Sequence, residues 1–308
     1  MLDNLVNIYI DLYVKNFSKK SKWNFVANLI SKIIRFFILF FLLNCYKKPK
    51  RSLSNDDKII VSLTTFPFRI SSLRYTLLSI FRQTVLPDRI IVNLIKSECP
   101  NGWDDLPNDL IEFKNKGVIF CFRDENLKPH NKYYYTFKDY PNSLIITIDD
   151  DYYYKSDLIE KLINLHHHYP DSVCANLVRK IKMSGEAFSS YEEWGIYNKN
   201  VRGHEFLALG FGGVLYPASL FKNSMLLNKE LFKELSFATD DLWLKAIELV
   251  SDIPVVSGSF DGFPLSLETG KVNALSATNV GQNRNDINWL KLDDYFKLHI
   301  LLQKINNG

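Results

Sequence analysis

Apolar and polar positions change period several times between residues 58 and 250. Lys58 to Thr65, KIIVSLTT, is a run of apolar and β-branched residues closed by Phe66 and Pro67, the pattern of a strand buried on both faces. Ser71 to Arg82 then sets Leu73, Leu77, Leu78 and Phe81 at helical spacing. Short apolar runs return at Arg89 to Leu94, Gly117 to Phe122 and Leu144 to Ile148, with helical stretches between some of them. A further helix is expected to start near Ser156, capped by Ser156 or Asp157, and to end in His166 to His168, where imidazoles suit the C-terminal dipole. Another apolar stripe runs through ATDDLWLKAIELV, residues 238–250. Strands alternating with helices predict an α/β fold with a mainly parallel sheet covered on both faces. Ligands of such sheets gather beyond the carboxyl ends of the strands.

The first 55 residues read differently. Within Trp23 to Tyr46, Asn24, Asn28, Ser31, Lys32 and Arg35 form one helical stripe; Phe36 to Leu43 is apolar all round, and KKPKR follows at 47–51. Residues 1–55 hold ten Lys and Arg against two Asp, a net +8, whereas the whole chain is +4, so the remainder is −4. A membrane span needs about 20 consecutive apolar residues, and Lys32 and Arg35 interrupt this one. The pattern predicts a helix lying in the bilayer interface, its basic flanks on anionic headgroups. A tilted span, and a helix packed on the body or on a second copy of the chain, are the alternatives. No small-residue cleavage site follows the apolar run. The division expected is a membrane-associating segment at 1–55 and a catalytic domain at 56–308. Cys45, Cys99, Cys121 and Cys174 have neither zinc-site nor disulfide-framework spacing, which fits a reducing compartment.

Candidate chemistry begins where the run Leu144 to Ile148 stops at Asp149, Asp150 and Asp151. Adjacent carboxylates at a strand end offer hard oxygen ligands for Mg²⁺ or Mn²⁺, ions commonly held by one or two carboxylates and substrate phosphates. Alternate residues of an extended segment point the same way, so Asp149 and Asp151 suit one ion while Asp150 points elsewhere; a solvated turn is the competing reading. Arg69, Arg123, Lys128 and Lys132 lie near strand ends, placed to clamp a diphosphate. Downstream, GFGGVLYP at 210–217 crowds Gly210, Gly212 and Gly213 into a turn or close approach, without the Lys-Ser/Thr of a P-loop. Thr239, Asp240 and Asp241 open the helix that follows; one is expected to cap it, leaving a carboxylate free as a general base. Tyr152 to Tyr154 are expected to alternate between packing and groove lining.

In order, VSLTTFPFR, KPHNKYYYTFKDYP, IITIDDDYYY, GFGGVLYP and TDDLWL resemble the GT-A glycosyltransferases, particularly bacterial family 2-like enzymes of capsule and lipopolysaccharide synthesis, over roughly Lys58 to Tyr295. The resemblance implies a nucleotide-sugar donor bound by residues of about 56–151 and a saccharide or lipid-linked acceptor bound by about 152–308. It implies donor contacts from Thr65, Arg69, Lys132 and Asp150, and metal (Mn²⁺ or Mg²⁺) on Asp149 and Asp151. Acceptor contacts would come from Gly212 and Gly213, and an inverting base from Asp241 or Asp240; Trp243, just past Asp241, is more often a core position, though an aromatic there could stack on a sugar. Asn283, Asn285 and His299 are alternatives for a late metal ligand. The setting expected is the cytoplasmic face of a bacterial inner membrane, with no nucleic-acid partner and with the apolar N-terminus able to pair copies of the chain. A sugar nucleotidyltransferase would need a glycine-rich, arginine-containing loop after the first strand, and LTTFPFR has no glycine; a scaffold with a degenerate site would bind no metal with its nucleotide.

Overall fold

Eight strands assemble into one sheet. They are β1 (Ile59–Thr64), β2 (Arg89–Ile95), β3 (Val118–Arg123), β4 (Leu144–Thr147), β5 (Val173–Ala175), β6 (Val201–Gly203), β7 (Val214–Pro217) and β8 (Val255–Ser257), in the spatial order β6-β8-β5-β7-β4-β1-β2-β3. Pairing is parallel through β4, β1, β2 and β3 and between β5 and β8. β7 runs antiparallel between β4 and β5, and β6 runs antiparallel on the edge. This computed structural model describes residues 2–17, 58–197, 199–260, 263–267 and 283–307, together with seven helical positions between 30 and 40.

The helices are α1 (Leu2–Phe17), α2 (Ile70–Phe81), α3 (Asp109–Asn115), α4 (Asn131–Asp139), α5 (Leu158–His168), α6 (Lys229–Ser236), α7 (Asp240–Val250), α8 (Arg284–Phe296) and α9 (Leu298–Asn307). Strand alternation sorts the apolar residues into two cores. Ile59, Val61 and Leu63 of β1 join Leu73, Leu77 and Ile80 of α2 on one face. Ile145, Val173, Val214 and Val255 turn to the other face, against Phe232, Trp243 and Trp289 of α6, α7 and α8. Each such side chain contributes about 1.5–3 kcal/mol on burial.

One position breaks the apolar rule of β1 and positions the site. Ser62 Oγ meets the Lys132 carbonyl at 2.5 Å and Thr136 Oγ1 at 2.6 Å, both on α4. A buried hydroxyl must find partners, so Ser62 fixes α4 along β1. Lys132, in the first turn of α4, consequently emerges at the carboxyl end of the sheet.

The N-terminal segment differs from the expectation in one respect. Leu2, Val6 and Tyr9 of α1, at helical spacing, are buried in the β1 core, and the Asp3 carboxylate accepts 2.6 Å hydrogen bonds from Tyr153 Oη and Ser156 Oγ. Ser156 thus holds α1 instead of capping α5, and Asp157, which does precede α5, makes no side-chain cap bond. Between 30 and 40, Ile34 and Ile38 pack on the body, whereas Ile30, Ile33, Phe36, Phe37 and Phe40 are exposed. The polar stripe Asn24, Asn28, Ser31, Lys32 and Arg35, Cys45 and the KKPKR run lie outside the described residues. No helix among the described residues is long and apolar enough to cross a membrane.

Candidate active site

The acidic turn follows β4 and is pinned by its backbone. Ile148 N–H donates to Ser62 O, and Asp149 N–H to Tyr154 Oη at 2.9 Å. Thr76 Oγ1 of α2 donates to the carbonyls of Asp150 and Tyr152, and Leu267 N–H to that of Asp151 at 2.7 Å. With its main chain so held, the turn cannot relieve repulsion by splaying its carboxylates; cations must do so. Arg69 reaches Asp150 at 3.3 Å and Asp151 at 3.1 Å, while Lys132 reaches Asp149 at 2.9 Å and Asp240 at 2.8 Å. Asp149 stands apart in this arrangement, and Asp150 does not point elsewhere as alternation suggested. It shares Arg69 with Asp151, because the segment bends at Asp150 and Asp151 and extends again only at Tyr152.

All three carboxylates line a cavity of about 540 Å³ beyond the strand ends, together with Thr65, Arg69, Lys132, Asp240 and Asp241. Asp149 is the most open of the three, its side chain 28% exposed. Burial pushes the Asp150 carboxyl up to about 6 against the pull of Arg69. Thr65 lies beside that carboxyl outside hydrogen-bonding geometry, and Asp150 Oδ2 is buried without a hydrogen-bond partner among the described residues. Burial would favour a neutral Lys132, but Asp149, Asp240 and Asp241 outweigh it and hold its pKa well above the usual lysine value.

Asp240 and Asp241 begin α7, where the helix dipole favours negative charge. Asp240 is buried against Lys132; Asp241 is half-buried, faces the cavity, and accepts from Gly210 N–H at 3.2 and 3.1 Å. Burial and the adjacent Asp240 push the Asp241 carboxyl up to about 7, against Lys132 and the Gly210 N–H. Gly210 leaves room for this contact, since a Cβ there would lie 2.7 Å from Asp241 Oδ1 and 2.8 Å from Lys132 Nζ and would push one of them aside. Thr239 precedes the helix, and its hydroxyl bonds to Ser236 and Asn288 instead of capping.

Three acceptor-side expectations are corrected. Gly212 and Gly213 face the core instead of the cavity: a Cβ on Gly212 would meet Leu177 at 3.1 Å, and one on Gly213, whose φ is +89°, would meet Leu158 at 2.9 Å. They serve the turn into β7. Trp243 is wholly buried, its Nε1 donating to Leu226 O at 3.0 Å between Phe232 and Phe296, so it stacks on no ligand. Phe211, between those glycines and Gly210, lines the cavity with Tyr152, Tyr191 and Arg179. Of the tyrosine run, Tyr152 lines the groove while Tyr153 and Tyr154 are buried.

Among the late candidates, Asn285 lines the cavity; Asn283 is exposed before α8, and His299 Nδ1 pairs with Asp293 away from it. No three His, Cys, Asp or Glu side chains among the described residues form a closed metal site. An open set still suits Mg²⁺ or Mn²⁺, which keep positions for substrate phosphates and water.

The solved structures similar to this chain include S. aureus TarS 1-349 in complex with UDP, at 15% identity and TM-score 0.45, covering 67% of this chain and 59% of that one. S. aureus TarS 1-349 aligns at 14% identity and TM-score 0.46 over 75% and 64% of the two chains. UTP-bound UGPase from Acinetobacter baumannii aligns at 10% and 0.40 over 66% and 86%. The chain thus spans about three fifths of the TarS chains it matches. No curated protein matches its sequence. The family model described as "Glycosyl transferase family 2" covers residues 68–227, just over half of the chain, from the loop after β1 through the acidic turn and β7. This match over just over half of the chain makes it a member of glycosyl transferase family 2.

Proposed function

We propose that the chain transfers a sugar from a nucleotide-sugar donor to a saccharide or lipid-linked acceptor, with inversion and with a divalent metal, in the assembly of a bacterial surface polysaccharide such as capsule or lipopolysaccharide. The observation that carries this reading is that Asp241 faces the same cavity as the acidic turn, with Lys132 between them. Thr65, Arg69 and Lys132 suit the donor's diphosphate, and Asp241 suits the acceptor. The acceptor hydroxyl attacks the anomeric carbon as the bond to the diphosphate oxygen breaks, and Asp241 takes the hydroxyl proton. A base titrating near neutrality balances availability against strength.

The buried, unpartnered Asp150 Oδ2 and the hard oxygens of Asp149 and Asp151 fit Mn²⁺ or Mg²⁺, with Asn285 the late candidate on the cavity wall. Such an ion would offset charge gathering on the departing diphosphate. The chain's own contribution is Arg69 and Lys132, which hold the carboxylates ready and can exchange them for phosphate oxygens. Ile30, Ile33, Phe36, Phe37 and Phe40 present exposed apolar side chains beside a basic N-terminal sequence, which supports a place on the cytoplasmic face of the inner membrane.

The test is calorimetric titration with UDP and GDP with and without Mn²⁺, followed by a screen for consumption of nucleotide sugars. Metal-dependent nucleotide binding and consumption of one donor are expected. Equal heats with and without Mn²⁺ would remove the metal from the reading.

A further inference from the structure

Arg69 and Lys132 are each taken up by two carboxylates, but a second guanidinium on the cavity wall is not. Arg179 sits in the strand Val178–Lys180, the middle of a three-stranded sheet flanked by Ile196–Tyr197 and Phe206–Ala208. Its Nη1 donates to Trp194 O at 2.6 Å, and its guanidinium carbon lies 4.7 Å from the Tyr191 ring centroid. No carboxylate forms an ion pair with it among the described residues. Its strand pairs with Phe206–Ala208, which runs on into Gly210, whose N–H holds Asp241, so this cation stands on the base's side of the cavity. The same cavity is lined by the Tyr152 and Phe211 rings, 5.5 Å apart, with Phe263 stacked behind Phe211 at 6.4 Å and nearly parallel to it. Aromatic faces and an oriented cation in one cavity suit a sugar ring bearing an anion.

We propose that Arg179 is a specificity residue that selects an acidic acceptor, a saccharide carrying a carboxylate or phosphate group, with the Tyr152 and Phe211 rings as its stacking surface. The inference rests on the reading of Asp241 as the acceptor's base. Five aspartates line this cavity, so a negative acceptor entering without a counter-charge is repelled from the base it must reach. Arg179 supplies that counter-charge, and its hydrogen bond to Trp194 and its contact with Tyr191 fix its position before the acceptor arrives. A neutral acceptor gains nothing from it.

The experiment compares matched probes on one protein: methyl β-glucuronide against methyl β-glucoside for the carboxylate, and glucose 6-phosphate against glucose for the phosphate. Binding is read by saturation-transfer NMR, and transfer from whichever donor the screen identifies is read as kcat/KM. The full chain is expected to favour at least one acidic probe about tenfold or more over its neutral partner, the scale of one charge-assisted hydrogen bond. Arg179→Gln should collapse that ratio toward one through KM, and Arg179→Lys should restore part of it. Because each ratio is taken within one variant, a general loss of folding does not imitate the result. Equal binding of acidic and neutral probes by the unaltered chain, or a preference that survives in Arg179→Gln, overturns the proposal. So does a loss of UDP affinity in Arg179→Gln that matches its loss of acidic-probe binding, which would assign the cation to the donor. Failure to consume any nucleotide sugar would instead count against the reading of Asp241, while the NMR ratio would still decide for or against Arg179.

Discussion

The residues up to the acidic turn and those beyond it hold their charges in different ways. Before residue 152, the cavity's aspartates are met by cations of the same half: Asp150 and Asp151 by Arg69, Asp149 by Lys132. Beyond it, Asp240 borrows that same Lys132, and Asp241 leans on the Gly210 main chain. The second half is therefore electrostatically incomplete without the first. Lys132 joins the acidic turn to Asp240 beside the proposed base, so that disturbing one is felt at the other.

Removing that joint gives the largest expected effect. Lys132→Met leaves Asp240 buried without its counter-charge, and breaking a buried pair costs about 3–5 kcal/mol. A fall in the urea midpoint together with loss of transfer is expected; unchanged stability would mean the two halves compensate their charges separately. Asp241→Asn sharpens the comparison from the other side. Stability should hold or rise, since a carboxylate beside Asp240 is removed, while kcat falls about 10²–10⁴-fold with little change in UDP affinity. Full turnover in this variant would exclude Asp241 as the base.

The glycines come next. Gly210→Ala drives a methyl into Asp241 and Lys132, so activity should fall sharply with a stability loss of about 1–3 kcal/mol. Gly213→Ala strains a positive φ against Leu158 and should cost a similar stability, yet the folded fraction should keep its specific activity. If both substitutions reduced kcat per folded molecule equally, Gly213 would belong to the site after all. The smallest effect concerns pH. Asp241 and Asp150 have folded pKa values raised to about 7 and about 6, above their unfolded values of about 3.9. The stability they contribute is full below pH about 4 and fades as pH rises through 6 and 7, whereas deprotonation of Asp241 raises activity over the same interval. Melting temperature and kcat followed from pH 5 to 8 should move in opposite directions, and Asp241→Asn should flatten the melting trend.

Legibility in the sequence followed strand length. β1 and β2, six and seven residues long, announce themselves as apolar runs, and α2 was placed within a residue at each end. The strands beyond β4 have two to four residues, too short for a period to emerge, and the antiparallel β7 is set by pairing with strands remote in sequence. Within the site, the charged motif residues were readable because their types are costly to bury unless chemistry or pairing requires it. The glycines were not: Gly210, Gly212 and Gly213 look alike as letters, and only the neighbours of each Cα show that the first meets a carboxylate and the other two meet leucines. Trp243 is ambiguous in sequence for a related reason, since proximity to Asp241 says nothing of which side of α7 its indole takes, and its burial decides for the core. The packing of α1 is masked in sequence by the stronger apolar run that follows it, although Leu2, Val6 and Tyr9 carry the spacing.

Helix α8 makes two tethers within three residues. Asp286 accepts from the Tyr191 main chain at 2.7 Å, and Asn288 donates to Thr239 at the start of α7; Trp289 then wedges against Trp194. A single rod consequently sets the gap between the start of α7, where the proposed base sits, and the Tyr191 ring that backs Arg179. Tilting this rod would shift that gap from behind, a way to retune the proposed acceptor choice through side chains packed behind the cavity wall.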